Sequence, residues 1–236
     1  MEPSDRFPNP GETDQGAIIC AVRTSNRPEM NFGPFDRQPQ AMPLMPAPPP
    51  ALSAETRRAL LQFVRVLSHW VLTGGGEVRP GEPSVEGQFG GAFVTFYRGR
   101  SLRGCMGTFL STNHLTATLE EVTHSSLTDP RFETDPITLK ELPELTIEIS
   151  ILTAPQRTDQ PLAIVPGTHG IIVRQGSKSG CFLPKVARER RWNAEQFLSQ
   201  CCTLKAGLPA GAWREPGTEV YLFCAEELAE QGVSVA

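Results

Sequence analysis

The stretch Leu102-Arg103-Gly104-Cys105-Met106-Gly107-Thr108-Phe109 is the most unusual segment of this 236-residue chain. It follows the β-branched and aromatic run 92–97, and the two segments with the turn between them predict a β-hairpin. Because side chains alternate along a strand, we expect Arg103, Cys105 and Gly107 to share one face. Glycine in a strand usually marks a bulge or a close backbone approach. The segment therefore predicts a hairpin in which glycines leave room around the Cys105 sulfur.

Periodic segments around this hairpin predict a mixture of helices and strands. Apolar residues at helical spacing predict a helix that begins after Ser53 and ends at Gly74-Gly75-Gly76. The run 145–152 alternates apolar and polar residues, which is the pattern of a strand. Other segments predict a helix over 115–127 capped by Thr112 or Asn113 and stopped by Asp129-Pro130, a hairpin over 170–183, a short helix from Pro184, a helix from Asn193 to about Lys205, and a strand over 218–225.

The two predicted hairpins share a spacing. Arg98 to Cys105 and Arg174 to Cys181 have the same separation, and each span ends in Gly-Cys. Each hairpin also precedes a helix. We interpret this echo as an internal repeat of a hairpin followed by a helix.

Proline divides the chain into two regions. Eleven of the 22 prolines lie in residues 1–50, and the rest are spread over the remaining 186 residues. Residues 1–50 also lack hydrophobic periodicity. We therefore predict a disordered Pro-rich tail over 1–51, with a docking segment as the alternative. Residues 52–228 are predicted to form one domain, and residues 229–236 a frayed C-terminus.

Composition argues against several classes of protein. The net charge is −4 and the pI about 5.7, which disfavours a nonspecific nucleic-acid binder. The sequence has no apolar run of the ~20 residues that cross a membrane and no secretory signal, so we expect a cytoplasmic protein. The six cysteines are then expected to be reduced thiols. The spacing of cysteines and histidines predicts no metal site, and we expect no cofactor.

Two interpretations of Cys105 stay open from these residues alone. A neighbouring arginine favours the thiolate, and this suits a nucleophile or a covalent anchor. Free cysteine is also among the most buried residue types, so Cys105 is equally well explained as a small apolar side chain at a tight bend.

An ordered series of motifs over roughly residues 52–228 resembles the AMMECR-type domain family. The core of the family signature is present, with Met106 in the place of isoleucine. The chain is similar to the bacterial branch, which is named AmmeMemoRadiSam system protein A. The other matching segments are Asp129-Pro130-Arg131-Phe132, Glu141-Leu142-Pro143-Glu144-Leu145, Glu148-Ile149-Ser150-Ile151-Leu152, His169-Gly170-Ile171, Leu183-Pro184-Lys185-Val186-Ala187 and Lys205-Ala206-Gly207-Leu208-Pro209.

The resemblance implies more about fold than about reaction. It implies an α+β domain with a strongly curved, barrel-like sheet, flanking helices and two related halves. It also implies Memo-like and radical-SAM proteins as partners, with a small-molecule ligand possible. Whether the protein is an enzyme stays open.

The matched residues define a candidate mechanism. Cys105 would be the nucleophile, Glu148 the general acid or base, and His169 the proton shuttle. The alternatives are that Glu148 faces solvent or pairs with an arginine, and that His169 only hydrogen-bonds a turn. Arg103 would lower the Cys105 pKa or bind an anionic group. The predicted substrate-binding residues are Arg103, Gly104, Gly107 and Thr108, whereas Asp129 with Arg131 is predicted to be a structural ion pair.

Three functions follow from this interpretation. The protein is an enzyme component that uses Cys105, a module that holds a ligand in a cleft around Cys105, or a scaffold in which the signature serves folding alone. The position of the Cys105 sulfur distinguishes them: a sulfur lining a pocket supports the first two, and a sulfur sealed in apolar core supports the third.

Overall fold

A computed structural model of the chain describes residues 21–22, 46–49, 51–76, 79–109 and 114–230. Most of the predicted tail, the predicted caps Thr112 and Asn113, and the end of the predicted C-terminal fray lie outside the described residues. The described helices are α1 (Ala54–Leu72), α2 (Leu115–Leu127), α3 (Pro184–Arg190) and α4 (Ala194–Cys201). The described strands are β1 (Ala21–Val22), β2 (Gly91–Arg98), β3 (Ser101–Phe109), β4 (Leu145–Leu152), β5 (Gln156–Thr158), β6 (His169–Gln175), β7 (Lys178–Phe182) and β8 (Thr218–Ala229).

The strands form one strongly curved sheet. Their order is β1-β3-β2-β4-β8-β6-β7, and β5 also pairs with β8. The pairs are antiparallel except for the short parallel pair between β1 and β3. The long strand β8 pairs with β4 through its second part and with β5 and β6 through its first part. This arrangement, with helices flanking the sheet, confirms the expected α+β class and the barrel-like sheet.

The sheet separates two hydrophobic clusters. Val94 and Phe96 pack with α1 and α2 on the outer face. Phe93 and Cys105 pack with the C-terminal half of the chain, on what we call the inner face. Both faces of β2 are therefore buried, which explains why its sequence is apolar without alternation.

Short-range sequence patterns predicted several ends of the helices and strands correctly. The Ser53 hydroxyl accepts the backbone N–H of Thr56 at 3.0 Å and caps α1 as predicted. Asn193 and Gln196 form the predicted capping box at the start of α4. The bounds predicted for α2 and β4 are those observed. The alternation in β4 misleads in one respect, because its polar face is buried as well.

The two hairpins, β2–β3 and β6–β7, pack against helical segments in the same way. Each return strand carries a Gly-Cys pair, and a helical segment lies directly on the glycine. A Cβ on Gly104 would lie 2.2 Å from the Ser126 carbonyl oxygen of α2. A Cβ on Gly180 would lie 2.5 Å from the Ala206 backbone nitrogen. At both places the missing side chain lets backbone approach backbone.

Replacing Gly104 by alanine tests this packing. Because the obstructing atom is backbone, we expect Gly104→Ala to lower the free energy of unfolding by about 1–3 kcal/mol. Gly81→Ala is the matched control, since a Cβ there meets nothing within 4 Å. We expect a change within about 0.5 kcal/mol for the control. Urea denaturation measures both, and equal effects would contradict the packing argument.

Candidate functional site

A β-bulge in β3 decides where the side chains of the signature segment point. Phe96 pairs with Gly104, but the next residue, Tyr97, pairs with Leu102, so Arg103 is the extra residue. Leu102 packs against the inner cluster that contains Cys105. Arg103 instead makes its described contacts with the loop 132–141. The expectation that Arg103 and Cys105 share a face is therefore wrong.

The charge of Arg103 is already balanced. Its guanidinium donates to both carboxylate oxygens of Glu141, at 2.6 and 3.0 Å, and to Asp135 at 2.9 Å. The hydrogen bond with Glu141 raises the pKa of Arg103 and lowers the pKa of Glu141. Arg103 also lines an open groove of about 430 Å³. That groove carries as many acidic as basic side chains, so it offers no net attraction for an anion.

The Cys105 side chain is buried and not exposed to solvent. The residue is fully buried, its Sγ lies 3.1 Å from Thr95 Oγ1, and it forms a disulfide whose partner lies outside the described residues. The expectation that all six cysteines are reduced is wrong for Cys105 in this structure. A disulfide sulfur is not a thiolate, so Cys105 gains nucleophilic character only after reduction. The other described cysteines, Cys181, Cys201, Cys202 and Cys224, are free thiols.

Asp129 and Arg131 hold the backbone of Cys105. The Asp129 carboxylate accepts the Cys105 N–H at 2.9 Å, and Arg131 donates to the Cys105 carbonyl at 2.9 Å. The two side chains form an ion pair at 2.5 Å. Burial alone would raise the pKa of Asp129, but hydrogen bonds from Arg131 and Cys105 outweigh it and lower that pKa. The predicted ion pair between Asp129 and Arg131 is confirmed.

The remaining predicted substrate-binding residues serve packing in this structure. Gly104 lies under α2, and a Cβ on Gly107 would lie 2.1 Å from the Phe93 ring. Thr108 pairs with Ala92 and therefore faces away from the inner cluster. These contacts leave no described space for a ligand beside either glycine.

Register brings two of the predicted catalytic residues together. Thr95 of β2 pairs with Cys105 on one side and with Glu148 on the other, so the three side chains form one row on the inner face. The neighbouring row contains Phe93, Ser150 and Glu227. Glu148 is therefore near Cys105 in the sheet, with Thr95 between them.

Lys185 completes a buried polar cluster that the sequence did not assign. Its ammonium forms an ion pair with Glu148 and donates to the Tyr97 hydroxyl at 3.5 Å. Lys185 is 2% exposed and Glu148 8% exposed. The alternatives in which Glu148 faces solvent or pairs with an arginine are wrong. The available signal was a lysine amid apolar residues in Leu183-Pro184-Lys185-Val186-Ala187.

Further charged side chains lie at the edge of the cluster nearer to solvent. Glu227 is partly buried, and its ion-pair partner Arg188, at 3.0 Å, is exposed. Glu189 is exposed at the edge of the cluster, and partial desolvation together with the carboxylates of Glu148 and Glu227 raises its pKa against the opposing effect of Lys185. Burial also raises the pKa of Tyr97, as do these three carboxylates, so its hydroxyl stays protonated. The formal charges of Glu148, Glu189 and Glu227 with those of Lys185 and Arg188 sum to −1, and Glu189 contributes the excess charge at the exposed edge.

Ser150 leaves a buried hydroxyl unsatisfied. Its Oγ is buried on the inner face and has no hydrogen-bond partner among the residues that the structure describes. A buried hydroxyl without a partner costs about 1–3 kcal/mol. Such a group in a native protein points to a water or a ligand that completes the site.

His169 lies apart from this cluster. It pairs with Cys224, so its side chain is on the opposite face of β8 from Glu227. The His169 Nδ1 accepts the backbone N–H of Val165 at 3.1 Å, and burial lowers the His169 pKa. The observed contact is the turn hydrogen bond named as the alternative to a proton shuttle.

Two features are absent from the described part of the chain. No group of three or more His, Cys, Asp or Glu side chains in it is arranged to hold a metal ion. None of its helices combines the length and the apolar character needed to cross a membrane.

Comparisons with known proteins identify relatives of the whole domain. A family model described as AMMECR1 matches residues 63–228. A protein of Thermococcus gammatolerans is 42% identical over 152 residues, covering 60% of this chain and 73% of its own length. A protein of Methanothermobacter thermautotrophicus is 37% identical over 190 residues, covering 77% and 97%. The crystal structure of an uncharacterised protein from Pyrococcus horikoshii superposes with a TM-score of 0.69 at 34% identity, covering 76% and 94%.

These relatives are archaeal proteins to which no activity is assigned. Their similarity extends to the domain and its fold. The similarity to the bacterial branch stays a prediction.

Removing the lysine of the buried pair tests its energetic weight. Lys185→Met leaves Glu148 buried without its partner, and we expect a loss of about 3–5 kcal/mol in the free energy of unfolding. Arg98→Met breaks the exposed pair with Glu144 and is the matched control, with an expected loss below about 1 kcal/mol. Denaturant titration compares them, and a small effect of Lys185→Met would show that Glu148 is not held by this pair.

His169 predicts a pH dependence of stability. The folded protein keeps His169 neutral because its pKa is lowered, whereas the unfolded chain takes up a proton below about pH 6.5. The stability from neutral His169 is therefore present above about pH 6.5 and is lost as the pH falls through the folded pKa. We expect His169→Gln to flatten the decline in unfolding free energy between about pH 7 and pH 5. His69→Gln, on exposed α1 surface, is the control, and an unchanged slope in His169→Gln would refute the prediction.

Proposed function

The chain belongs to the AMMECR1 family, and from this premise we propose that it binds a small polar molecule at the Glu148–Lys185–Tyr97 cluster. The observation that carries the proposal is the buried ion pair beside an unsatisfied Ser150 hydroxyl. Ionisable side chains brought together in low-dielectric surroundings are expensive to maintain, and they concentrate at functional sites.

The chemistry of the cluster favours a particular class of ligand. Lys185 and Tyr97 supply hydrogen-bond donors, Glu148 supplies an acceptor, and Ser150 supplies both. The excess negative charge favours a neutral or cationic compound such as a polyol or an amine. Glu148 is the general acid or base in this proposal. Its described partner is Lys185, and a ligand can take the place of Lys185 beside the carboxylate.

Cys105 enters the proposal only in the reduced protein. Reduction of the disulfide would leave a thiol beside the Thr95 hydroxyl, one strand away from Glu148. The side chains of Arg103 and His169 lie away from Cys105 and Glu148. The candidate mechanism that combined Cys105, Glu148 and His169 therefore lacks its proton shuttle. The proposed catalytic set is Cys105 with Glu148 and the newly assigned Lys185.

We also propose that the protein acts with Memo-like and radical-SAM proteins. The support is the ordered series of motifs that resembles the bacterial branch of the family. Co-purification of the three proteins from a shared host tests this part separately.

A scaffold without catalysis is the second candidate function. Its specific support is that the signature residues have packing roles: Gly104 lies under α2, Gly107 lies under Phe93, and Cys105 is enclosed. The signature is therefore explained by folding. The buried ion pair next to it remains the feature that the scaffold does not require.

A double variant separates the two candidates. Glu148→Met with Lys185→Met replaces the ion pair by apolar side chains, an exchange that is often neutral for stability. We expect the double variant to fold and to lose binding of polar metabolites. Ligand-observed NMR of the wild-type protein, before and after thiol reduction, against a defined set of amines and polyols measures that binding.

The control is the single variant Arg98→Met, which should bind as the wild type does. Equal binding by the double variant and the wild type would place the ligand elsewhere. Absence of binding by the wild type in either redox state would favour the scaffold.

A further inference from the structure

The bonding state of the cysteines identifies the partner of Cys105. Cys105 forms a disulfide, and its partner lies outside the described residues. The other described cysteines are free thiols, namely Cys181, Cys201, Cys202 and Cys224. The sequence has six cysteines, and the sixth is Cys20. Elimination therefore leaves Cys20 as the partner of Cys105.

Strand register points to the same residue. β1 begins at Ala21, which directly follows Cys20 in the sequence. The strand pairs in parallel with β3, and Ala21 lies opposite Met106. Because both strands of a parallel pair run in the same direction, the position before Ala21 corresponds to the position before Met106. That position on β3 is Cys105.

The attachment of β1 to the sheet is weak without a covalent link. β1 has two residues, lies at the end of the sheet and pairs only with β3 among the described strands. Strands usually have three or more residues, and parallel pairing is slightly less stable per residue than antiparallel pairing. A disulfide at the start of β1 adds stability because it restricts the unfolded chain. Local opening of so short an edge strand also gives a reductant access to the buried Cys105 sulfur without unfolding of the domain.

Cys105 is the fixed half of this link. Its backbone N–H donates to Asp129 and its carbonyl accepts from Arg131, each at 2.9 Å. The neighbouring Gly104 lies directly under α2, and β3 pairs with β2 on its other side. None of these contacts involves β1. Cleavage of the disulfide is therefore expected to detach β1 and to leave the β2–β3 hairpin in place.

We propose that Cys20 and Cys105 form a redox-controlled disulfide that holds β1 on the edge of β3. A dithiol reductant opens this disulfide by thiol–disulfide exchange. One reductant thiolate attacks a sulfur of the disulfide, the S–S bond breaks, and a mixed disulfide forms as the other cysteine leaves. The second reductant thiolate then displaces the remaining cysteine. The reductant becomes a disulfide, and its two protons end on the two cysteine thiols.

Reduction has two consequences for the protein. The release of β1 uncovers part of the edge of β3, and an uncovered strand edge can pair with another strand. Cys105 becomes a thiol whose described hydrogen-bond neighbour is Thr95, at 3.1 Å from the Cys105 Sγ. This redox control of β1 does not depend on ligand binding at the Glu148–Lys185–Tyr97 cluster.

Disulfide mapping and limited proteolysis of the full chain test the proposal. The protein is equilibrated with oxidised glutathione, and half of it is then reduced with dithiothreitol. After alkylation of free thiols, peptide mass spectrometry should find a Cys20–Cys105 linked peptide in the oxidised sample only. Trypsin, added to separate aliquots, reports on β1 because Arg23 directly follows this strand in the sequence. We expect cleavage after Arg23 to be at least ~10-fold faster after reduction, since the rate follows the fraction of molecules in which β1 is detached.

Two controls separate release of β1 from a general loss of structure. Cleavage after Lys140, in an exposed loop, should have the same rate in both samples. Cys20→Ser should show the fast cleavage after Arg23 without reductant, whereas Cys224→Ser removes a free thiol and should keep the linked peptide and the slow cleavage.

Three results would overturn the proposal. A Cys105 that is unlinked in the oxidised sample, or linked to a different cysteine, would exclude the proposed pair. A linked peptide with equal rates of cleavage after Arg23 in both samples would show that the disulfide does not hold β1. A rise in cleavage after Lys140 as large as the rise after Arg23 would show that reduction unfolds the domain and does not release β1 alone.

Discussion

The ion pair between Lys185 and Glu148 joins the two halves of the molecule across the inner face of the sheet. Lys185 belongs to α3, which follows the second hairpin, and Glu148 belongs to β4, which pairs with the first. Two charges taken out of water repay their desolvation only when the partners and the surrounding hydrogen bonds are held in place. The curved sheet, the docked helix and Tyr97 supply that constraint. The candidate site and the packing of the halves therefore depend on the same contact.

The signature segment has its explanation in packing. Gly104 lets the end of α2 approach β3, where the Ser126 hydroxyl accepts the Met106 N–H and donates to the Val94 carbonyl. The bulge at Arg103 turns that side chain toward Glu141, and Asp129 with Arg131 covers the backbone of Cys105. These contacts hold the first hairpin in place. The polar side chains of the candidate site lie on β2 of this hairpin, on the neighbouring strand β4 and on α3.

Prediction succeeded where the cause was local and failed where it was not. The cap at Ser53, the capping box at Asn193 and the limits of β4 follow from neighbouring residues, and the structure shows each of them. Glu148 was a candidate because it is the ionisable residue on the polar face of the predicted strand and lies in a segment that matches the family. The bulge at Arg103 was missed because it depends on how β2 and β3 register, and Lys185 was missed because its partner lies 37 positions earlier in the chain.

By itself, the sequence determined the class of fold, most element boundaries, the family and the importance of Cys105 and Glu148 as a pair of candidates. Periodicity, capping and turn chemistry act over a few residues, so they can be read along the chain. Three relations were decided by the tertiary structure alone. Cys105 is buried in a disulfide, His169 lies on the opposite face of β8 from Glu227, and Lys185 pairs with Glu148. Strand register and helix docking set these relations, because burial and charge pairing depend on residues that are distant in sequence and adjacent only after folding.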